Sequence, residues 1–510
     1  MEKSEYLDIS KAGDIKNSKE RILYRLFEII PGVLSLGTLI GVFVFSWFLP
    51  SWVAIFIICF CFYYLLRIFY FSLHQVMAYF KVQSHLKTDW MEKLHKEKGK
   101  RWKDIYHVVI LPTYKEGYKI IQESLDALIA SDYPMEKLII VLAMEERAGK
   151  EFIDAGKEIE KNYAGRFFKF IISVHPDNIV GELAGKGSNV AYAGKMARAL
   201  VDELKIPYEN ILISDFDIDT KVYPQYFACL TWYYLTEKNP LRASYQPVPV
   251  YNNNIWKATF FARVVSTSNT FWQMIQQERS EKLTTYSSHA IPAKVFFEVD
   301  YPNNVVPDDS RIFWRAYLQY DGDYRVVPIY YTLSMDAVDS NNIFRTIVNQ
   351  YKQQRRWAWG CAEIPYVMFG FLQNKKIKFW DKVGHIYTLL DGYWSWATAA
   401  LLLFMLGWLP ILLGGNKFNF TVLSFNLPIL TGRIMTVSLV GMLVSAILST
   451  MMLPKIPEGV SKIKRVTVFF QWLFLPVTLI VFGSFPSLEA QIRLMLGKHM
   501  GFWVTEKLRK

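Results

Sequence analysis

Three aspartates alternate in Asp215-Phe-Asp-Ile-Asp219, directly after the apolar run Asn210-Ile-Leu-Ile-Ser214. Carboxylates this close repel one another and lose hydration unless a cation shares the space. A hard divalent ion, Mg²⁺ or Mn²⁺, held by Asp217 and Asp219 and bridging to a diphosphate, is the simplest occupant; an acidic loop that caps the helix after Pro224 is the other reading. Asp308 and Asp309, in Val306-Pro-Asp-Asp-Ser310, open a helical stretch running from Arg311 to Tyr320. Such a pair caps a helix and suits its dipole, or supplies the ionised carboxylate that accepts a proton from an attacking hydroxyl.

Two further groups suit an anionic, sugar-bearing ligand. Lys186 stands in Gly185-Lys-Gly-Ser-Asn189, just before a helix. The glycine spacing and the lack of Ser or Thr after the lysine exclude a nucleoside-triphosphate loop. What remains is a turn offering Lys186, Asn189 and backbone donors to an anionic donor substrate, or a bland exposed turn. In Gln350-Tyr-Lys-Gln-Gln-Arg-Arg-Trp-Ala-Trp359, residues Gln353, Arg356 and Trp357 share one helical face. The guanidinium pairs with phosphate, and the indoles of Trp357 and Trp359 suit the apolar face of an acceptor sugar. A helix lying at the lipid interface explains the same residues structurally.

The elements that position these groups follow from hydrophobic patterning. Short apolar runs at His107 to Leu111, Leu138 to Leu142, Phe168 to Val174 and Asn210 to Ser214 read as strands covered on both faces. Helical stretches near Lys119 to Ala130, Arg147 to Asn162 and Ser188 to Leu204 supply the crossovers. The product is an α/β domain with a parallel, Rossmann-like sheet. Ligands of such sheets sit beyond the carboxyl ends of the strands. Pro112, Thr113, Tyr114 and Glu116 after the first strand, and Glu145 and Glu146 after the second, therefore join Lys186, Asn189, Asp215 and Asp217 as candidate donor contacts.

Around this middle the composition changes. Hydrophobic residues make up 52% of the 510 and aromatics 16%, concentrated toward the two ends. The 38 residues from Ile29 to Leu66 carry no charge, and Pro50 interrupts them near the centre. About 20 residues cross a bilayer, so this run makes two crossings. Uncharged runs at Gly392 to Asn416, Ile434 to Pro454 and Val466 to Leu488 each suffice for another. The net charge of +12 clusters beside them, at Lys81, Lys87, Lys93, Lys96, Lys98, Lys100, Arg101 and Lys103, and at Lys455, Lys462, Lys464 and Arg465. The positive-inside rule places both clusters in the cytoplasm, and no nucleic-acid-binding motif accompanies them. The basic tail Lys498 to Lys510 breaks this pattern with five spans, so a sixth crossing within 419–430 or 489–500 is the alternative. The four cysteines have neither metal-ligand nor disulfide spacing. The 28 mixed-charge residues before the first span predict a retained anchor.

With these residues assembled, the chain resembles the membrane-integral branch of the family 2 inverting glycosyltransferases, which includes cellulose and hyaluronan synthases. Gln353-Gln-Arg-Arg-Trp357 matches that branch's Gln-x-x-Arg-Trp signature, and Asp217-Ile-Asp219 its metal-binding Asp-x-Asp. Pro307-Asp-Asp309 stands where the branch has Glu-Asp. The resemblance implies Asp309 as catalytic base with Asp308 beside it, and a GT-A-like catalytic domain. It implies a UDP- or GDP-linked sugar as donor and inverting hexose transfer to a growing polysaccharide, coupled to its export. Transfer to a polyprenyl phosphate or other lipid, or an inactive scaffold or transporter, are the rival readings. Two departures stand out: Glu145 or Glu146 replaces the aspartate that reads the nucleobase, and Asp308 replaces a glutamate.

The expected organisation is a cytoplasmic segment (1–28), two spans (29–80), the catalytic domain (81–360), an interfacial amphipathic segment (361–385), further spans (386–488) and a basic tail (489–510). The whole would sit in the inner or plasma membrane as a multi-pass protein, in contact with membrane lipids, its catalytic domain in the cytoplasm. In a background lacking the four native cysteines, a cysteine introduced near Lys98 or Lys462 is expected to resist an impermeant thiol reagent in intact cells and to react after permeabilisation. Labelling of both in intact cells reverses the orientation.

Overall fold

The computed structural model describes residues 3–97, 101–340, 342–459, 461 and 463–503. Lys98, Lys100, Lys462 and the tail lysines and arginine at 507, 509 and 510 lie outside them. The first uncharged run folds as two long helices, α1 (Ser18–Phe48) and α2 (Pro50–Lys87), with Leu49 alone between them. Asn17 caps α1 by accepting from the amides of Lys19 and Glu20. Pro50 occupies the first turn of α2, where its missing N–H costs no helical bond.

The chain then alternates strand and helix: β1 (Tyr106–Pro112), α3 (Tyr118–Ile129), β2 (Leu138–Glu145), α4 (Lys150–Tyr163), β3 (Lys169–His175), α5 (Lys186–Leu204) and β4 (Ile211–Asp215). These four strands are parallel neighbours in the order β3-β2-β1-β4. Alternate residues serve opposite layers, as a period of two requires. Val108, Ile110, Ile139 and Val141 pack with Val190, Ala193 and Val201 of α5. Val109, Leu111, Ile140 and Leu142 pack with Ile121, Leu125 and Leu128 of α3 and Ile159 of α4.

Beyond β4 the expectation of a parallel sheet fails. The strands β5 (Lys221–Val222), β6 (Ala243–Val250), β7 (His289–Pro292) and β8 (Arg325–Ser334) extend the sheet to eight strands, ordered β3-β2-β1-β4-β7-β6-β8-β5. β7 is antiparallel to both β4 and β6, and β5 to β8, so the sheet is mixed. Sequence patterning missed this half because β6 carries Pro247 and Pro249, residues that argue against a strand inside a sheet. The ladder tolerates them by shifting register between Gln246 and Val248.

Toward the site run α6 (Phe260–Gln277), α7 (Asp308–Gln319) and α8 (Ile343–Ala358). Helix α9 (Glu363–Gln373) follows and is buried through most of its length, whereas the amphipathic reading of 361–385 expected a surface-lying segment. The apolar faces of Ile364, Tyr366, Val367, Phe369 and Phe371 are taken up by protein. Next come α10 (Phe379–Phe404) and α11 (Val422–Met451); a last apolar helical run, Ile463–Met495, ends in α12 (Phe485–Met495). Among the described residues, four helices are long and apolar enough to cross a membrane: α1, α2, α11 and Ile463–Met495. Helix α10 with Leu406–Leu413 makes a fifth candidate, bent by 55° at its break. These helices flank the mixed-sheet domain at both ends of the sequence and make the chain a multi-pass membrane protein.

Helix α5 approaches its neighbours closely enough to require glycine. A Cβ at Gly194 would overlap the edge of the buried Phe296 ring. Gly194→Ala is expected to lose about 1–2 kcal/mol, the overpacking cost exceeding the gain in helix propensity. Thermal unfolding of the purified protein in detergent measures it, and an unchanged or raised midpoint contradicts the packing described.

Candidate active site

The carboxyl ends of β1, β2 and β4 converge on the N-termini of α5 and α7. At their meeting point lies Lys186, its side chain only 9% exposed. Its Nζ stands 3.1 Å from Asp215 Oδ2, 3.0 Å from Asp217 Oδ1 and 2.8 Å from Asp309 Oδ1. Burial pulls the ammonium's pKa down, but the surrounding carboxylates of Asp215, Asp217, Asp309 and Asp308 overcome it and leave the pKa well above the ordinary lysine value. Lys186 is therefore a charged centre, and the reading of its turn as bland and solvent-exposed is overturned. Gly187 permits the approach: a Cβ there would lie 2.7 Å from the Pro302 carbonyl and 2.9 Å from Asp308 Cβ.

The acidic residues separate by environment. Asp215 and Asp308 are buried behind the cavity wall, and Tyr301 Oη lies 2.8 Å from Asp215 Oδ2 and 3.2 Å from Asp308 Oδ2. Desolvation raises both carboxyl pKa values; the charge of Asp309 adds to the shift at each, and Lys186 opposes it. The Tyr301 hydroxyl, with its single proton, bridges the two buried carboxyl groups. Asp217, Asp219 and Asp309 line the cavity itself. Asp219 Oδ2 accepts the Asp336 amide at 3.0 Å, which fixes its direction.

A histidine that sequence reasoning passed over faces this cluster. The β4–β7 register sets His289 opposite Asp215. Its Nδ1 lies 2.8 Å from the Tyr286 carbonyl, which selects the tautomer with a free lone pair on Nε2. Burial lowers its pKa to about 4, keeping the ring neutral. His289 Nε2 and Asp215 Oδ1 are both buried without a hydrogen-bond partner. With Asp309 they form a set of ligand atoms within 4.8 Å of one another that could hold a metal ion. Carboxylate oxygens with one imidazole suit Mn²⁺, and the oxygens of Asp217 and Asp219 suit Mg²⁺ or Mn²⁺. A lone histidine before Ala-Ile-Pro gives no spacing signal, so only the strand register could reveal it.

The remaining candidates divide between wall and interior. Pro112, Thr113, Tyr114, Glu116, Glu145 and Asn189 all line the cavity. Glu116 ties the β1 turn by accepting from Thr113 Oγ1 at 2.9 Å and the Tyr114 amide at 2.7 Å. Asn189 donates to the Ala143 carbonyl at 2.7 Å, joining α5 to β2. Glu145 is buried and paired with Arg147, whose guanidinium stacks on Tyr114 at 4.5 Å. Glu146 is exposed, accepts the Asp177 amide at 3.0 Å and faces away from the cavity.

Helix α8 adds Gln353, Arg356 and Trp357 to the cavity lining, with Tyr251 beside the Trp357 ring at 6.1 Å. The adjacent arginine is held elsewhere: Arg355 pairs with Glu489 of α12 at 2.6 Å. Trp359, expected near the acceptor, is buried and packs against the His499 ring, because it begins the tight turn after α8 and points into the core. Phe502, hidden in sequence within a basic tail, lines the cavity with its ring 4.9 Å from the Arg356 guanidinium. It also packs directly on Gly185.

The cavity has a volume of 1010 Å³ and extends from these residues between the membrane helices. Tyr387, Tyr393, Trp396 and Ser395 of α10 and Ser438 and Ser445 of α11 line it there. Arg67 of α2 and Asp391 of α10 pair across it at 3.1 Å.

No family model and no curated protein matches the sequence. Among solved structures the chain is similar to mannosyltransferase PcManGT from Pyrobaculum calidifontis in complex with GDP-Man and Mn²⁺, at 13% identity and a TM-score of 0.42 over 87% of this chain and 100% of that one. It is also similar to S. aureus TarS 1-349 in complex with UDP-GlcNAc, at 12% identity and a TM-score of 0.37 over 68% of this chain and 91% of that one. Lys186, the carboxylates around it and His289 set the geometry of the site.

That geometry predicts dependence on a divalent ion. Chelation is expected to abolish donor turnover and added Mn²⁺ to restore it. Asp217→Asn and Asp219→Asn, which remove charge without changing size, are each expected to weaken Mn²⁺ binding by about tenfold or more. Electron paramagnetic resonance of bound Mn²⁺ provides the measurement. Full turnover in EDTA contradicts the metal assignment.

Proposed function

We propose that the chain is an inverting glycosyltransferase of GT-A-like design that moves a hexose from a UDP- or GDP-linked sugar to a hydroxyl of a growing polysaccharide. The single observation that carries this reading is the continuous cavity. It joins a cluster of carboxylates and cations to a passage lined by hydroxyl and aromatic side chains among the membrane helices. Sugar hydroxyls left unpaired on burial cost about 1–3 kcal/mol each, so a passage for a glycan needs such a lining. The parallel half of the sheet, with its ligand groups beyond the strand ends, supports the GT-A-like assignment. The basic clusters beside the spans support a cytoplasmic catalytic domain.

In the proposed reaction Asp309, at the cavity wall, accepts the proton of the acceptor hydroxyl. The freed oxygen lone pair attacks the anomeric carbon from the face opposite the diphosphate. The bond from that carbon to the diphosphate oxygen breaks, and its electron pair leaves with the oxygen. Lys186 and Arg356 both line the cavity, where they stabilise that developing charge, an interaction strongest in the transition state. Asp308, buried with its carboxyl pKa raised by desolvation, lies behind the cavity wall and holds Tyr301 and Asp215 in place. Asp217 and Asp219 would hold a divalent ion, which when bound neutralises diphosphate charge. Thr113, Tyr114 and Glu145 at the strand ends would receive the nucleoside.

Apolar residues of the inner passage, such as Ile434, Leu439 and Leu475, favour a second reading in which a lipid-linked acceptor enters from the bilayer. Product size separates the two. Purified protein in lipid vesicles, supplied with labelled UDP- and GDP-sugars, is expected to give a ladder many sugars long. Trp357→Ala should shorten or abolish that ladder while donor hydrolysis persists. A single sugar on an extracted lipid rejects polymerisation, and no turnover of any nucleotide sugar rejects the glycosyltransferase reading.

A further inference from the structure

Behind the helix that carries Asp309, the first residues of the chain are built into the catalytic core. Tyr6, Leu7, Ile9, Ala12 and Ile15 are all buried, in the same apolar cluster as Ile312, Phe313 and Trp314 of α7. This segment, expected as a cytoplasmic stretch before the first span, forms a strap lying across the back of α7.

Its polar attachments converge on one residue. Arg311, two residues after Asp309, is 1% exposed. Its Nη1 donates to the Ile9 carbonyl at 2.9 Å and its Nε to Glu363 Oε2 at 2.9 Å, while the guanidinium lies 3.7 Å over the Tyr366 ring. Tyr366 in turn donates to the Leu7 carbonyl at 3.1 Å. Two flanking contacts fix the same strap: Arg315, one turn further along α7, pairs with Asp8 at 2.9 Å, and Asn304, in the loop before α7, donates to the Asp8 carbonyl at 2.8 Å. Glu363, the partner of Arg311, itself lines the cavity.

The strap is also coupled to the membrane helices. The Ala12 amide donates to Glu28 of α1 at 3.2 Å, and Glu28 pairs with Arg25 at 2.6 Å. Arg25 reaches the Leu494 carbonyl at 2.9 Å and also the Met495 carbonyl, at the end of α12. The same α12 holds Arg355, the neighbour of Arg356.

We infer that the strap from Tyr6 to Ile15 sets the depth at which α7 projects Asp309 into the cavity, with Arg311 as the positioning residue through which it acts. Arg311 draws its carbonyl partner from a segment 302 positions earlier in the sequence. Its planar fork gives the direction of the contact as well as its strength, because guanidinium bonds are geometrically specific. Displacing a reacting group by about 1 Å costs up to about a hundredfold in rate. The groups proposed to receive the nucleoside, Thr113, Tyr114 and Glu145, lie at the ends of β1 and β2, whereas Arg311 is tied to Ile9, Glu363 and Tyr366. The strap should therefore govern turnover without governing donor affinity. This inference rests on the proposed role of Asp309.

The test uses the full chain in detergent or vesicles, with UDP and GDP as binding probes and their sugar conjugates as substrates. Arg311→Lys keeps the charge and loses the fork, Ile9→Asp disrupts the seat of the strap, and Tyr366→Phe removes only the bond to Leu7. The first two are expected to lower kcat by about 10- to 100-fold and the third by a few fold, with nucleotide Kd unchanged within about twofold. Turnover within twofold of wild type in Arg311→Lys and Tyr366→Phe overturns the inference. So does a parallel loss of turnover and nucleotide binding in those two variants, since it makes the strap structural support alone. If Ile9→Asp does not fold, these milder variants decide. Failure of the underlying reading looks different: the wild type turns over no nucleotide sugar, or Asp309→Asn retains wild-type turnover.

Discussion

The ammonium of Lys186, enclosed by Asp215, Asp217 and Asp309, is the contact on which the rest of the catalytic domain depends. Withdrawing ions from water costs several kcal/mol each, and their attraction offsets that cost only when the geometry is good. Three elements must therefore end at one point: α5, which supplies the lysine, β4, which supplies Asp215 and leads to Asp217, and α7, which opens with Asp308 and Asp309. Gly187 lets α5 begin against the first turn of α7. Tyr301 joins the two buried carboxylates behind them. The same cluster that is costly to assemble holds excess negative charge ready for a cation or for a ligand that recruits one.

A second constraint acts where α8 lines the cavity. Helix α8 carries two consecutive arginines, and a helix sends consecutive side chains in different directions. Arg355 is claimed by Glu489 of α12, which also accepts from Tyr351 and Arg493. Arg356 is left facing the cavity beside Trp357. A membrane helix thus fixes the rotation of α8 about its axis, and with it the direction of the amide, guanidinium and indole face. Catalytic groups and bundle are one construction, and the cavity runs through both.

The mixed half of the sheet serves the site as much as the parallel half does. An antiparallel β7 beside β4 brings His289 opposite Asp215. The long excursion from β7 to β8 delivers Tyr301 and α7 to the strand ends. A uniformly parallel sheet would need a crossover helix at this edge, covering the space that His289 and Tyr301 occupy.

Sequence alone determined the features that depend on local chemistry and period. The uncharged runs announced the membrane helices because hydrocarbon admits little else. The four parallel strands were legible because burial on both faces demands apolar runs. Asp217, Asp219, Lys186, Asp309, Gln353, Arg356 and Trp357 stood out by type and spacing, and the fold brings them to one cavity. Tertiary structure decided what spacing does not encode. The strands around Pro247 and Pro249 were masked by residues that normally end a ladder. His289 and Tyr301 gained their places from register and from a loop. Trp359 turned inward and Glu146 turned away, although each sits within two residues of a neighbour that faces the cavity. The burial of Tyr6, Leu7 and Ile9 against α7 joins residues some three hundred positions apart. Contacts across such separations are set by which surfaces remain to be covered once the local elements have formed, and that is a property of the packed whole rather than of any segment.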